Sequence, residues 1–194
     1  MREMRQNVCN LELREEQGTP PRLVGYAAIY DSRSEDLGGF REQIAPGAFD
    51  RALNEGHDVV ALLNHNPDLL LARTPTTLRL SSDKRGLRVE MDLDVESDEV
   101  SRRVLSKVKR GDLRGMSFAF QARSEEWDHT TKPLPTRTLT DCDLFDVSVV
   151  VSPAYQATQV SARALDQAKQ APPPPAEADP NALLRMRLDL AARE

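Results

Sequence analysis

Three side chains of the kinds that carry out hydrolysis lie in predicted strands. Ser117 is in "GMSFAF", His65 lies at the end of the apolar strand in "VVALLNHN", between two asparagines, and Asp146 is in "LFDVSVVVS". A histidine can take the proton of a serine hydroxyl, and an acid can orient that histidine and stabilise its protonated ring. These residue types and their spacing make a catalytic triad possible, although a serine in a strand is far more often structural.

Ser117 is predicted to face away from the core. In "MSFAFQAR" alternation places Met116, Phe118 and Phe120 on the core face, and Ser117 on the opposite, small and polar face. The stretch is not a nucleophile elbow, which needs GxSxG between a strand and a helix.

The last strand offers two acids. Alternation places Asp146 opposite a core face that comprises Phe145, Val147, Val149 and Val151. A carboxylate inside an apolar strand is costly unless it has a partner, so Asp146 is favoured for orienting a histidine. Asp143 is the reserve, because near the strand start it is expected to be solvated. The alternative role for Asp146 is an ion pair with an arginine.

His65 is the best candidate for a general base. A histidine held against apolar packing can stay neutral near pH 7, as a base must, although a satisfied, partly buried histidine is the alternative. His57 and His129 lie in polar surroundings and are predicted to be solvated. A cysteine hydrolase that uses Cys142 has no supporting local motif.

Composition excludes several classes of function. The net charge of -5 argues against a general binder of nucleic acid or anionic membranes. The two cysteines, Cys9 and Cys142, form neither a metal-binding motif nor a disulfide framework, which predicts a reducing compartment and no metal. No apolar run approaches roughly 18 residues, and the N-terminus does not read as a signal peptide. No cofactor is predicted.

The elements predicted around these residues indicate an α+β protein with about seven short strands, arranged as a closed barrel or sandwich. One helix is expected in 45–56, with Pro46 early and Gly56 at its end, and a longer one in 97–111, capped by Ser97 and ended by Gly111. The strands are expected in 7–16, 22–31, 57–66, the hairpin 77–94, 115–127, 136–141 and 144–152, and 32–42 is read as a polar loop.

The composition changes after Arg163. Residues 1–163 are predicted to form the globular domain, 164–180 a proline-rich linker, and 181–194 a short amphipathic tail segment.

Six segments in order resemble the prohead protease family of tailed bacteriophages, the viral proteases of capsid maturation. They cover about Leu23 to Arg163 and read "GYAAIYD", "REQIAPGAFDRAL", "VVALLNHN", "TLRLSSDKRGLRVEMDL", "VKRGDLRGMSFAF" and "LFDVSVVVSPAYQATQVSAR". The resemblance implies a mainly antiparallel β-barrel with surrounding helices, related in fold to the herpesvirus assemblins, and usually a homodimer.

The resemblance implies Ser117 as the nucleophile and His65 as the base. Asp146 stands where the family usually has a glutamate, and aspartate is one methylene shorter. Assemblins use a histidine as third member, but none lies near that strand here. An acid must therefore serve, or the site is a dyad.

The implied function is a serine endopeptidase of head maturation. It would cleave the scaffolding protein, or a scaffold-like segment of the major capsid protein, and itself, inside a prohead in the host cytoplasm. No nucleic acid or membrane partner is implied. The alternative is a non-catalytic assembly protein that keeps the fold and binds scaffold through its tail.

Overall fold

A computed structural model describes residues 2–7 and 11–151, so Cys9 and the predicted linker and tail lie outside the described residues. The protein is a sheet-rich α+β structure, as predicted. Its elements are β1 (Glu3–Asn7), β2 (Glu12–Arg14), β3 (Arg22–Ile29), β4 (Arg41–Ile44), α1 (Asp50–Asn54), β5 (Val60–Leu63), β6 (Asn66–Arg73), β7 (Leu78–Ser82), β8 (Gly86–Asp92), α2 (Glu99–Lys109), β9 (Gly115–Asp128) and β10 (Thr136–Val150).

The strands pair as two sheets. One has the order β1-β9-β10-β5-β6, with β4 also paired to β10, and the other has the order β2-β3-β8-β7. β10 is long enough to hold β4 along its first part and β5 along its last part, both parallel to it. The pairings of the described strands do not close into the single barrel that was expected from the sequence.

Both sheets contribute to one hydrophobic core. Met116, Phe118 and Phe120 of β9 are fully buried in it, which confirms the alternation predicted for this strand. The Phe118 ring packs edge-on against Phe49, which precedes α1, with 5.6 Å between centroids. The core therefore holds β9 firmly behind Ser117.

β10 is one strand in the structure, whereas the sequence predicted two separate strands, 136–141 and 144–152. It has register shifts against β9, one of them between Leu144 and Asp146. A bulge adds a residue and changes which side chains face inward. Leu144 therefore joins the core, whereas Phe145 is only half-buried and Val151 is exposed, so the predicted core face was wrong at both of these positions.

The structure has more strands than predicted. β4 begins at the end of the predicted polar loop 32–42 and continues beyond it, and β6 begins directly after His65. The predicted strand 7–16 contains β2 but shares only Asn7 with β1, and the two strands belong to different sheets. β4 was missed because its polar Glu42 is buried, where Arg5 and Arg137 neutralise its charge.

Both helices are shorter than predicted. Asp98, not Ser97, caps α2, because its carboxylate accepts hydrogen bonds from the Val100 and Ser101 amides at 3.1 and 2.7 Å. α1 begins at Asp50, so Pro46 lies in the preceding turn. Neither helix of the described part is long and apolar enough to cross a membrane.

Candidate active site

Two neighbouring strands bring Ser117 and Asp146 to the same face of the larger sheet. β9 and β10 are antiparallel, with Ser117 directly opposite Ser148 and Ala119 opposite Asp146. Residues two apart in a strand share a face, so Asp146, Ser148 and Ser117 point the same way. The pairing of the two strands is regular from Asp146 to Val150, so the face that alternation predicts for Asp146 is the one that it takes.

His65 reaches this face from a tight turn. Leu63 pairs with Asn66, and the two residues between them, Asn64 and His65, have φ of 53° and 55°. Two consecutive positive φ angles are the geometry of a type I′ hairpin turn, whose right-handed twist suits the flanking strands. Asparagine and histidine tolerate this region better than most residues. His65 therefore lies in a turn between β5 and β6 and not within a strand.

Ser117, His65 and Asp146 form one chain of hydrogen bonds. His65 Nε2 is 2.5 Å from Ser117 Oγ, and His65 Nδ1 is 2.6 Å from Asp146 Oδ1. A neutral ring that donates from Nδ1 to the carboxylate leaves Nε2 free to accept the serine proton. The shorter aspartate side chain therefore spans the gap to the histidine.

Ser148 is a fourth member of the cluster that sequence reasoning missed. Its Oγ donates to Asp146 Oδ1 at 3.1 Å and accepts from the His65 backbone N–H at 3.2 Å. Ser148 is fully buried. Its position two residues after Asp146 was the available signal, since alternation already placed both on one face.

Asp143, the reserve acid, lies elsewhere. It is buried rather than solvated, and its carboxylate accepts from Arg123 Nε at 2.6 Å and Arg51 Nη2 at 2.7 Å. The Arg123 hydrogen bond is the main cause that lowers the pKa of Asp143, and Arg51 adds to it against the effect of burial. No described hydrogen bond joins Asp143 to His65.

Asp146 also has the arginine partner that was its alternative role. Arg2 Nη2 donates to Asp146 Oδ2 at 3.1 Å, and the Arg2 guanidinium lies 4.7 Å from the centre of the Phe145 ring. The two carboxylate oxygens of Asp146 therefore have different partners: Oδ1 bonds His65, and Oδ2 bonds Arg2.

The other candidate residues are outside this cluster. Cys142 is buried, and burial raises the pKa of its thiol to about 12, so it carries no reactive thiolate near neutral pH. His57 lies 3.1 Å from Glu55, and His129 stacks on Trp127 at the surface. Among the residues described, no group of three or more histidine, cysteine or acidic side chains could hold a metal ion.

A serine, a histidine and an acid joined in this order on a sheet-rich α+β fold are typical of the class of serine hydrolases. A family model described as caudovirus prohead serine protease matches residues 9–171, and the chain belongs to that family. The resemblance seen in the six sequence segments is thereby confirmed, and with it the coarse function, that of a phage prohead serine protease.

A solved structure of the bacteriophage T4 capsid assembly protease gp21 has the same fold. The TM-score is 0.55 at 9% sequence identity, and the match covers 78% of this chain and 98% of the other. None of the curated proteins compared with the chain matches it.

Proposed function

We propose that the protein is a serine endopeptidase of phage head maturation, with Ser117 as nucleophile, His65 as general base and Asp146 as the acid that orients the base. The observation that carries this proposal is the hydrogen-bonded chain from Ser117 Oγ through His65 to Asp146 Oδ1. Membership of the prohead serine protease family supports the same reaction.

The reaction follows from these atoms. Ser117 Oγ attacks the carbonyl carbon of the scissile bond while its proton passes to His65 Nε2. Asp146 stabilises the imidazolium, which then gives the proton to the departing amine. Water, deprotonated by His65, hydrolyses the resulting ester, and the proton returns to Ser117.

The substrates that we propose are prohead components: the scaffolding protein, a scaffold-like segment of the major capsid protein, and the protease itself. The family description supports this choice, because it places these proteases in the prohead. Cleavage would take place inside the prohead in the host cytoplasm. Residues 1–163 would be the protease domain, 164–180 an accessible linker, and 181–194 a tail segment.

We further propose an assemblin-like relation of the two sheets and a homodimer as the active form. The single core shared by both sheets supports the first part. For the second, specific activity should rise with protein concentration as monomers associate. Activity per molecule that stays constant across the monomer–dimer transition would contradict it.

A non-catalytic assembly protein is the second candidate, and one observation favours it. Ser117 has no exposed surface in this structure. A site that stayed closed would bind partners without cleaving them.

One experiment separates the two candidates. The chain is co-expressed with its capsid and scaffold proteins as wild type, Ser117→Ala, and Ser124→Ala, an exposed serine on the same strand. We expect cleavage products with wild type and Ser124→Ala and none with Ser117→Ala. Identical band patterns for wild type and Ser117→Ala would reject the protease.

A further inference from the structure

The first strand of the chain covers the nucleophile. β1 is an edge strand that pairs only with β9 in the described sheet, antiparallel, with Gln6 opposite Ser117. Ser117 is fully buried with β1 in this place. A substrate peptide must reach the same hydroxyl, and an exposed edge of β9 would pair with an extended peptide as it pairs with β1.

The backbone of β1 meets the nucleophile at one peptide group. The carbonyl oxygen of Arg5 is 2.8 Å from Ser117 Oγ, which donates to it. The single hydroxyl proton of Ser117 cannot be given to Arg5 and to His65 Nε2 at the same time. In this arrangement the Arg5 carbonyl lies against the reacting group, as the carbonyl of a bound peptide would.

The side chain of Arg5 is held by a buried acid. Its Nε and Nη2 donate to the two oxygens of Glu42 at 2.6 and 2.9 Å, a bidentate pair, and its guanidinium lies 5.4 Å from the centre of the Phe120 ring. The Glu42 side chain is only 3% exposed. This is a built subsite for a cation.

A second subsite holds an acid two residues earlier. Glu3 accepts from Arg137 Nη1 and Nη2 at 2.8 and 3.0 Å, and the Arg137 side chain is 4% exposed. Glu3 and Arg5 point to the same face of β1 because residues two apart in a strand do so. Met4, between them, is on the other face and is exposed.

We propose that β1 is seated in the substrate groove of the protease, and that the groove selects extended peptides with arginine or lysine at the Arg5 position and an acidic residue two positions before it. The scissile bond is then the one on the carboxyl side of the basic residue. This inference rests on the proposed function, since it assumes that Ser117 attacks the carbonyl that is placed against it.

The charges of the groove explain the selection of the basic residue, whereas the acidic residue is favoured by its two hydrogen bonds to Arg137. Apart from β1, the cluster contains the carboxylates of Glu42 and Glu125 and the guanidinium of Arg137, which bonds both of them. One negative charge is left in excess, and it lies at the buried Glu42. A basic side chain neutralises it, whereas a neutral one leaves a desolvated carboxylate without a full partner, which is costly.

At this register the bond on the carboxyl side of the basic residue is cleaved through an ester of Ser117. Ser117 Oγ bonds to the carbonyl carbon of the basic residue, and the bond to the next residue's nitrogen breaks. The leaving amine takes the proton that His65 Nε2 removed from Ser117. Water then releases the basic residue as a free carboxylate and restores the serine.

The test uses the full chain and quenched fluorogenic peptides that copy residues 2–10, with serine in place of Cys9. The peptide series carries Arg5→Lys, Arg5→Gln, Arg5→Glu or Glu3→Gln, with Met4→Gln as the control on the exposed face. We expect cleavage after arginine or lysine, a loss of kcat/KM of about tenfold or more for Arg5→Gln and Arg5→Glu, a smaller loss for Glu3→Gln, and none for Met4→Gln.

Two variants of the protein complete the test. Glu42→Gln should remove the preference for arginine over glutamine in the peptide. Arg5→Gln leaves Glu42 intact and loosens β1, so it should increase both cleavage of the arginine peptide and labelling of Ser117 by a fluorophosphonate. If Glu42→Gln does not fold, as judged by circular dichroism, the peptide series and Arg5→Gln decide the question.

Fluorophosphonate labelling of Ser117 distinguishes a failure of the groove proposal from a failure of the proposed function. Equal kcat/KM for the arginine and glutamine peptides, cleavage at another bond, or no cleavage of any peptide, with Ser117 still labelled, would overturn the groove proposal and leave the proposed function standing. Absence of Ser117 labelling in both wild type and Arg5→Gln would overturn both.

Discussion

Ser117 has two acceptors within hydrogen-bonding distance, and they belong to distant parts of the chain. His65 Nε2 is the acceptor that the proposed hydrolysis needs, and the Arg5 carbonyl is the acceptor that β1 supplies. One proton serves only one of them at a time. At the scale of single residues, the state of the site therefore depends on where β1 lies.

Ser148 is expected to matter through its two neighbours and not by direct contact with substrate. It holds the Asp146 carboxylate and the His65 backbone, so Ser148→Ala should lower kcat by about tenfold, the effect of about 1.4 kcal/mol of lost hydrogen bonding, with KM little changed. Ser81→Ala, at an exposed position of the smaller sheet, is the control and should leave kcat unchanged. Wild-type kcat in Ser148→Ala would exclude a positioning role.

Asp143 should contribute to stability and not to catalysis. Asp143→Asn weakens its bonds to Arg51 and Arg123, and we expect a loss of about 1.5–3 kcal/mol in the free energy of unfolding at pH 7, with cleavage of peptides retained. Asp146→Asn should instead act on catalysis and lower kcat by about 10⁴-fold, the loss expected when a triad acid is neutralised.

The stabilising contribution of Asp143 should decrease as the pH is lowered. The folded-state pKa of Asp143 is lowered from its ordinary value of about 3.9, so its contribution is fully present above that pH and is lost as the pH falls through the folded pKa. Urea unfolding of wild type and Asp143→Asn from pH 7 down to pH 2 should show the difference shrinking. A constant difference over this range would contradict the prediction.

At the scale of elements, the hairpin turn between β5 and β6 decides whether His65 is in place. Asn64 and His65 both have positive φ. The backbone N–H of Asn64 donates to the Val149 carbonyl at 3.0 Å, and this hydrogen bond attaches the turn to β10. The sequence predicts the apolar strand before His65 correctly. It does not reveal the type I′ geometry after that strand, because the turn lacks the Asn-Gly or Asp-Gly pair that signals this geometry.

Asn64→Val should strain the turn. A β-branched residue at positive φ costs about 1–2 kcal/mol, so we expect a lower melting temperature and a lower kcat as His65 shifts. Asn64→Gly is the matched control: it also loses the side-chain contact to the Val151 amide but permits the backbone angle. Equal effects of valine and glycine on both measurements would show that the angle is not the cause.

β9 and β10 show what strand patterns can and cannot predict. Alternation in "MSFAF" correctly separated Ser117 from Met116 and Phe118, because β9 is regular there. In β10 the bulge shifted the pattern at Phe145, and nothing in the local sequence marks it. Bulges arise from how two paired strands fit together, so a pattern in one strand does not contain them.

At the scale of the whole molecule, one buried network joins four strands. Arg137 of β10 bonds Glu3 of β1, Glu42 of β4 and Glu125 of β9. Burial by itself raises the pKa of Glu3, but the hydrogen bonds and charges of Arg137 and Arg5 outweigh it and lower the pKa overall. The network therefore holds Glu3 ionised inside the fold and fixes β1 and β4 to the central strands.

Removing the centre of this network should destabilise the whole protein. Arg137→Met leaves several carboxylates without their cation, and we expect a loss of about 3–5 kcal/mol in the free energy of unfolding by urea. Arg14→Met, which breaks an exposed pair with Glu12, should cost at most about 1 kcal/mol. Similar losses for both variants would show that the buried network adds little.

The sequence by itself determined the residue types available for hydrolysis, the core face of β9, the α+β class and the family, because these follow from local periodicity and from motifs in a fixed order. Tertiary structure decided the partners. His65 contacts a serine 52 positions away and an acid 81 positions away in the sequence. Arg5 of β1, the strand that covers Ser117, lies 112 positions before that serine. Local patterns say which way a side chain points. Which side chains it meets depends on the pairing and bulges of strands far apart in the chain, and these are set by the packing of the whole core.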